Sequence, residues 1–119
     1  MKKKLQNIIE ALGKHQDENS IKLLEEFGTN CPVNEVRELT AKALIRKNTT
    51  DALSIVIAQK GKGINDLSAG VAMSAINELL SLNNKDEAMK VLEDTINNSG
   101  EKEVQDTARS VKALMSFSF

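Results

Sequence analysis

Apolar residues recur along this chain at helical spacing, in short runs divided by polar or glycine-bearing breaks, and the runs themselves recur. Leu5, Ile8, Ile9 and Leu12 form a first stripe, which Gly13 and the polar residues 14–19 close. Ile21, Leu24 and Phe27, with Leu23 beside them, form a second, which stops at Gly28 before Cys31-Pro32 forces an extended connection. Asn34 is the expected N-cap of a third helix, with Glu35 suited to its positive end and Arg46 and Lys47 to its negative end. Thr49, Thr50 and Asp51 offer the next cap, before a fourth helix through Leu53, Ile55, Val56 and Ile57 toward Lys60. It is the least charged helix and is expected to lie buried between neighbours. Gly61-Lys62-Gly63 then breaks the chain. A fifth helix carries Leu67, Val71, Ala75, Ile76, Leu79 and Leu80; a sixth, opening near Asp86, carries Ala88, Val91, Leu92 and Ile96; a seventh carries Val104, Thr107, Ala108 and Val111.

Two helices make one unit, written three times and begun a fourth. Ser20-Ile21-Lys22-Leu23-Leu24 returns as Ala52-Leu53-Ser54-Ile55-Val56 and as Ala88-Met89-Lys90-Val91-Leu92. Val36, Leu39, Thr40, Ala43 and Leu44 map, thirty-six residues on, to Ala72, Ala75, Ile76, Leu79 and Leu80. Leu24 to Val36 and Leu92 to Val104 are both twelve residues, whereas Val56 to Ala72 is sixteen, so four residues are inserted there. Inserted residues go to loops, and the glycine-flanked segment 61–64 is expected to be the most mobile internal one. The pattern predicts an all-α single domain: a right-handed α-solenoid of about seven helices, with units at about 3–30, 33–61 and 65–98 and a half unit at 101–115.

The run Glu35-Val36-Arg37-Glu38-Leu39-Thr40-Ala41-Lys42-Ala43-Leu44, a short turn, then Asp51-Ala52-Leu53-Ser54-Ile55-Val56 resembles the HEAT-like repeat, especially its short bilin-lyase-type variety. That family places valine and arginine early in a first helix, Ala-x-Ala-Leu late, and Ala-Leu at the start of the second. The resemblance covers roughly residues 8–111 and departs where Met73 stands in the position of Arg37 and where the first unit lacks the arginine. Tetratricopeptide repeats fit less well, since their aromatic and Trp-Leu-Gly positions are missing. The resemblance implies a module that binds another protein. Its alternatives are an accessory factor of an enzymatic process, as in bilin-lyase relatives, or a small protein that neutralises a toxin or effector.

Composition narrows the chemistry. The chain has 119 residues, 28% of them charged, with a net charge of −1, so no global field recruits nucleic acid or an anionic membrane. No long apolar run suggests a membrane span, and the single Cys31 suits a reducing compartment, so the expected setting is cytoplasmic. His15 has no second histidine to share a metal, and Gly61-Lys62-Gly63 lacks the phosphate-binding spacing. No catalytic residue, metal ligand or cofactor is therefore expected. Six basic and two acidic side chains lie between Arg37 and Lys62, a patch that could touch phosphate. The absence of aromatic stackers argues against nucleic acid.

Exposed positions of the second helices in each unit give the sharpest expectation. With Leu24, Val56 and Leu92 facing inward, the residues after them are Glu25 and Glu26, then Ile57 and Ala58, then Glu93 and Asp94. An apolar centre flanked by acids fits a groove for a basic amphipathic polypeptide. The opposing expectation is that Ile57 is core and the acids merely solvated. At the C-terminal end, Val111, Leu114 and Met115 lack an obvious cover, and Phe117 and Phe119 either fold back as a cap or support a homodimer.

Overall fold

A computed structural model of the chain describes residues 2–14, 18–29, 31–59 and 63–117. Among the described residues seven α-helices succeed one another: α1 (Lys2–Lys14), α2 (Glu18–Gly28), α3 (Asn34–Lys47), α4 (Thr50–Ile57), α5 (Ala69–Leu80), α6 (Asp86–Asn98) and α7 (Lys102–Ser116). A 3-10 turn at Ile64–Asp66 precedes α5, and no strand occurs among the described residues. The fold is all-helical, as the apolar spacing requires.

Each helix packs mainly on helices one or two places away along the chain. α3 lies against α1 and α5, α4 lies against α2 and α6, and α2 and α4 also pack on α3. Two close approaches set α1 and α2 against α3. A Cβ on Gly13 would sit 3.2 Å from that of Ala43, and one on Gly28 would collide with the side chain of Thr40. Thr40 is fully buried there, its hydroxyl donating to the Val36 carbonyl at 2.7 Å. That bond removes the penalty of a buried hydroxyl without a partner from another helix.

The sequence period reappears as a contact period. Ser74 donates to Glu38 at 3.0 Å, the Asn48 side chain to the carbonyl of Asn84 at 2.8 Å, and Thr50 to Glu87 at 2.8 Å, across separations of 36, 36 and 37 residues. Residues thirty-six or thirty-seven places apart in the chain therefore touch each other. Asn48 holds a left-handed conformation at the end of α3, with φ of 53°, a backbone that asparagine adopts more readily than most residues.

Several expectations are corrected. Asn34 is the first residue of α3, not its cap; Val33 occupies the cap position and makes no side-chain bond. Thr49 does cap α4, accepting from the Ala52 amide at 3.3 Å. α4 ends at Ile57, short of Lys60, and Leu67 lies outside α5. The inserted segment is not a loose loop where it is described: Ile64 is 3% exposed and belongs to the core, and its turn packs on α5 and α7. Residues 60–62 lie outside the described residues. Val111 and Met115 are buried, because α7 packs along α6. Leu114 remains partly exposed and Phe117 is 87% exposed, while Phe119 and His15 lie outside the described residues.

Candidate docking face

The outer sides of α2, α4 and α6 form two grooves, one on each flank of α4. The first, about 330 Å³, lies between α2 and α4 and is lined by Lys22, Glu25 and Asp51 over Ile21 and Ile55. The second, about 380 Å³, lies between α4 and α6 and is lined by Glu87, Lys90 and Asp94 over Ala58 and Val91. Ser54 lines both, so the ridge dividing them is a small side chain.

Helical geometry explains which predicted residues reach this face. Relative to the buried Leu24, Val56 and Leu92, a residue two places on or back is turned about 200° and points outward, whereas one place on is turned only about 100° to the flank. Ala58 and Asp94 are two places on and line the second groove. Glu26 stands at the same position and is exposed, outside both grooves. Glu25, Ile57 and Glu93 are one place on and meet three different fates. Glu25 is half-buried at the first groove. Ile57 is 4% exposed and packs in the core, so it is no surface anchor. Glu93 turns to α7, where it accepts from Lys112 at 3.1 Å.

Sequence reasoning missed the residues two and five places back. Lys22, Ser54 and Lys90 form one such row, and Asp51 with Glu87 another. The signal was present in the spacing Asp51-Ser54-Ala58 and Glu87-Lys90-Asp94, three then four residues apart, which places each trio on one helix face. Within the second groove Glu87 accepts from Thr50 and stands 3.8 Å from Lys90, while Asp94 accepts from Asn98 at 2.7 Å. The apolar floor consists of Ile21, Ile55 and Val91 in place of Ile57.

Each described basic residue of the middle segment has a partner of its own. Lys47 is buried and donates to the Leu12 carbonyl at 2.8 Å, Arg46 pairs with Glu78 at 3.1 Å, Lys42 lies 3.6 Å from Glu38, and Arg37 donates to the Asp66 carbonyl at 3.2 Å. Lys60 and Lys62 lie outside the described residues. Cys31 is half-buried and forms no disulfide. Among the described residues no three His, Cys, Asp or Glu side chains converge as a metal site, and no helix is long and apolar enough to cross a membrane. No protein-family model, curated protein or solved structure matches the chain.

Proposed function

We propose that this chain is a short right-handed α-solenoid of HEAT-like repeats, a non-catalytic module that binds a basic polypeptide on the face formed by α2, α4 and α6. One observation carries the reading: two adjoining grooves flank α4, each with an apolar floor and more carboxylates than ammonium groups. The contacts between matching positions of successive units support the repeat architecture. Apolar floors supply desolvated contact area, and the carboxylates steer a basic partner toward them. A cytoplasmic setting is part of the same reading. So is self-association through the C-terminal end, where Phe117 is exposed; sedimentation of the chain beside a version ending at Ser116 decides that point.

The test is a titration of the labelled protein with a designed peptide carrying leucine and lysine at helical spacing, beside its glutamate counterpart. Amide signals of residues 50–58 and 86–95 should move with the lysine peptide and stay still with the glutamate one. Shifts centred on α1, α3 and α5, or none with either peptide, would overturn the reading.

A further inference from the structure

Resting on the self-association proposed above, we infer that the outward side of α7 docks on the outward side of α1 in a second copy of this chain, head to tail, so that copies add one after another in place of closing into a pair. α1 packs on α2 and α3, and α7 packs on α6, α5 and the turn at Ile64–Asp66. In the order α1 on α3, α3 on α5, α5 on α7, the first and last helices each keep one side turned away from their neighbours.

Those two sides have the same geometry. Ile9 of α1 and Val111 of α7 are fully buried and mark the inward direction of each helix. At about 100° per residue, the positions five back, one back and two on from such a residue point to the opposite side. In α1 they are Lys4, Ile8 and Ala11; in α7 they are Asp106, Ser110 and Ala113, and all six are exposed. Ile8 is a large apolar side chain 47% exposed, whereas Ser110 and Ala113 are small and leave room for it. Phe117, one turn beyond Ala113, continues the α7 side. A helical side chain leans toward the N-terminal end of its helix, so Phe117 covers the level of Ala113 and, across the contact, the methyl of Ala11. Each helix thus sets a large apolar side chain over small residues of the other, which lets the two approach closely.

Charge sets the direction. A parallel arrangement brings the two first turns together, with Lys4 of one copy beside Glu103 and Asp106 of the other, opposite in sign. Asp106 already holds Arg109 at 2.9 Å, and a carboxylate has lone pairs for a second donor. An antiparallel arrangement would set Lys4 against Phe117. Parallel packing is also how α1, α3 and α5 meet within the chain, last turn to last turn, through Lys47 with the Leu12 carbonyl and Arg46 with Glu78. The contact between copies continues that arrangement. Because it joins unlike surfaces, every added copy leaves one of each uncovered, and growth does not stop at two.

The experiment is sedimentation of the full chain up to about 1 mM, since a contact of one helix on one helix is small and weak. The unmodified chain should grow past a dimer as its concentration rises. Ile8→Glu disables the α1 side and Phe117→Glu the α7 side, and each variant alone should show a dissociation constant raised at least about tenfold. An equal mixture of the two should regain the unmodified affinity and stop at a dimer, because only one intact contact can form; that recovery also shows both variants to be folded. Lys4→Glu should weaken association too, and Glu103→Lys added in the same chain should restore it. A closed dimer of the unmodified chain, a mixture that stays monomeric, or no recovery in the charge-exchanged chain would overturn the inference. If association is lost in the version ending at Ser116 but kept in Ile8→Glu, self-association through the C-terminal end stands and the head-to-tail mode fails; if the unmodified chain stays monomeric, both fail.

Discussion

The ammonium group of Lys47, a residue only 5% exposed, donates to the main-chain carbonyl of Leu12 at 2.8 Å. Lys47 ends α3 and Leu12 lies in the last turn of α1, so the bond satisfies a carbonyl that α1 cannot pair within itself. A charged donor at the negative end of a helix also gains from its dipole.

Lys47→Met keeps the length and the apolar stem but removes the donor. It should lower stability by about 1.5–3 kcal/mol, the range for a hydrogen bond to a charged group. Urea unfolding should show a lower midpoint with an unchanged slope. A loss under about 0.5 kcal/mol would mean that the bond between α3 and α1 contributes little.

Gly28→Ala and Gly70→Ala should move stability in opposite directions. At Gly28 a methyl meets Oγ1, Cγ2 and Cβ of Thr40, and Cβ cannot rotate away, so the helices must part at a cost of about 1–3 kcal/mol. At Gly70, inside α5, nothing lies within 4 Å, and alanine should add up to about 1 kcal/mol through helix propensity. Thermal melts of the two variants with opposite shifts are expected; equal shifts would contradict the packing of α2 on α3.

Ile64→Ala should cost about 2–5 kcal/mol, as for other buried isoleucines. The amides of Asp66 and Leu67 donate to the carbonyls of Gly63 and Ile64 at 3.0 and 3.2 Å. They should exchange slowly in native-state hydrogen exchange. Exchange as fast as in an unfolded peptide would show that the turn is not docked on α5 and α7.

Leu44, Leu79 and Leu80 test which sides of α3 and α5 face the core. Leu44 and Leu79 are fully buried, while Leu80, aligned with Leu44 by sequence, is only half-buried. Alanine at Leu44 or Leu79 should cost about 2–5 kcal/mol and alanine at Leu80 clearly less. A larger loss at Leu80 than at Leu79 would place the wrong side of α5 in the core.

Most of the helix order was legible because apolar spacing depends only on the chain itself. The burial of Leu24, Val56 and Leu92 follows directly from it. Flank positions were not legible, because their fate depends on which helix lies beside them. Ile57 faces core because α4 has neighbours on both sides, and Glu93 meets Lys112 because α7 lies along α6. The docking of Ile64 was hidden for the same reason: four extra residues announce a loop, but only the space beside α5 and α7 admits its isoleucine. On the face formed by α2, α4 and α6, reading the residue directly after each buried position picked the flank, and the rows through Lys22, Ser54 and Lys90 carried the outward direction.

Under the proposed repeat architecture, the bonds that join residues about thirty-six places apart would also limit how the array could lengthen by gene duplication. A second copy of the middle unit placed after the first would present, at the positions of Ser74 and Glu78, the residues found thirty-six places earlier, Glu38 and Lys42. Glu38 would then face another Glu38, and Arg46 would face a lysine. Like charges at contact distance repel, so a tandem copy would need compensating substitutions at both positions before it could stack.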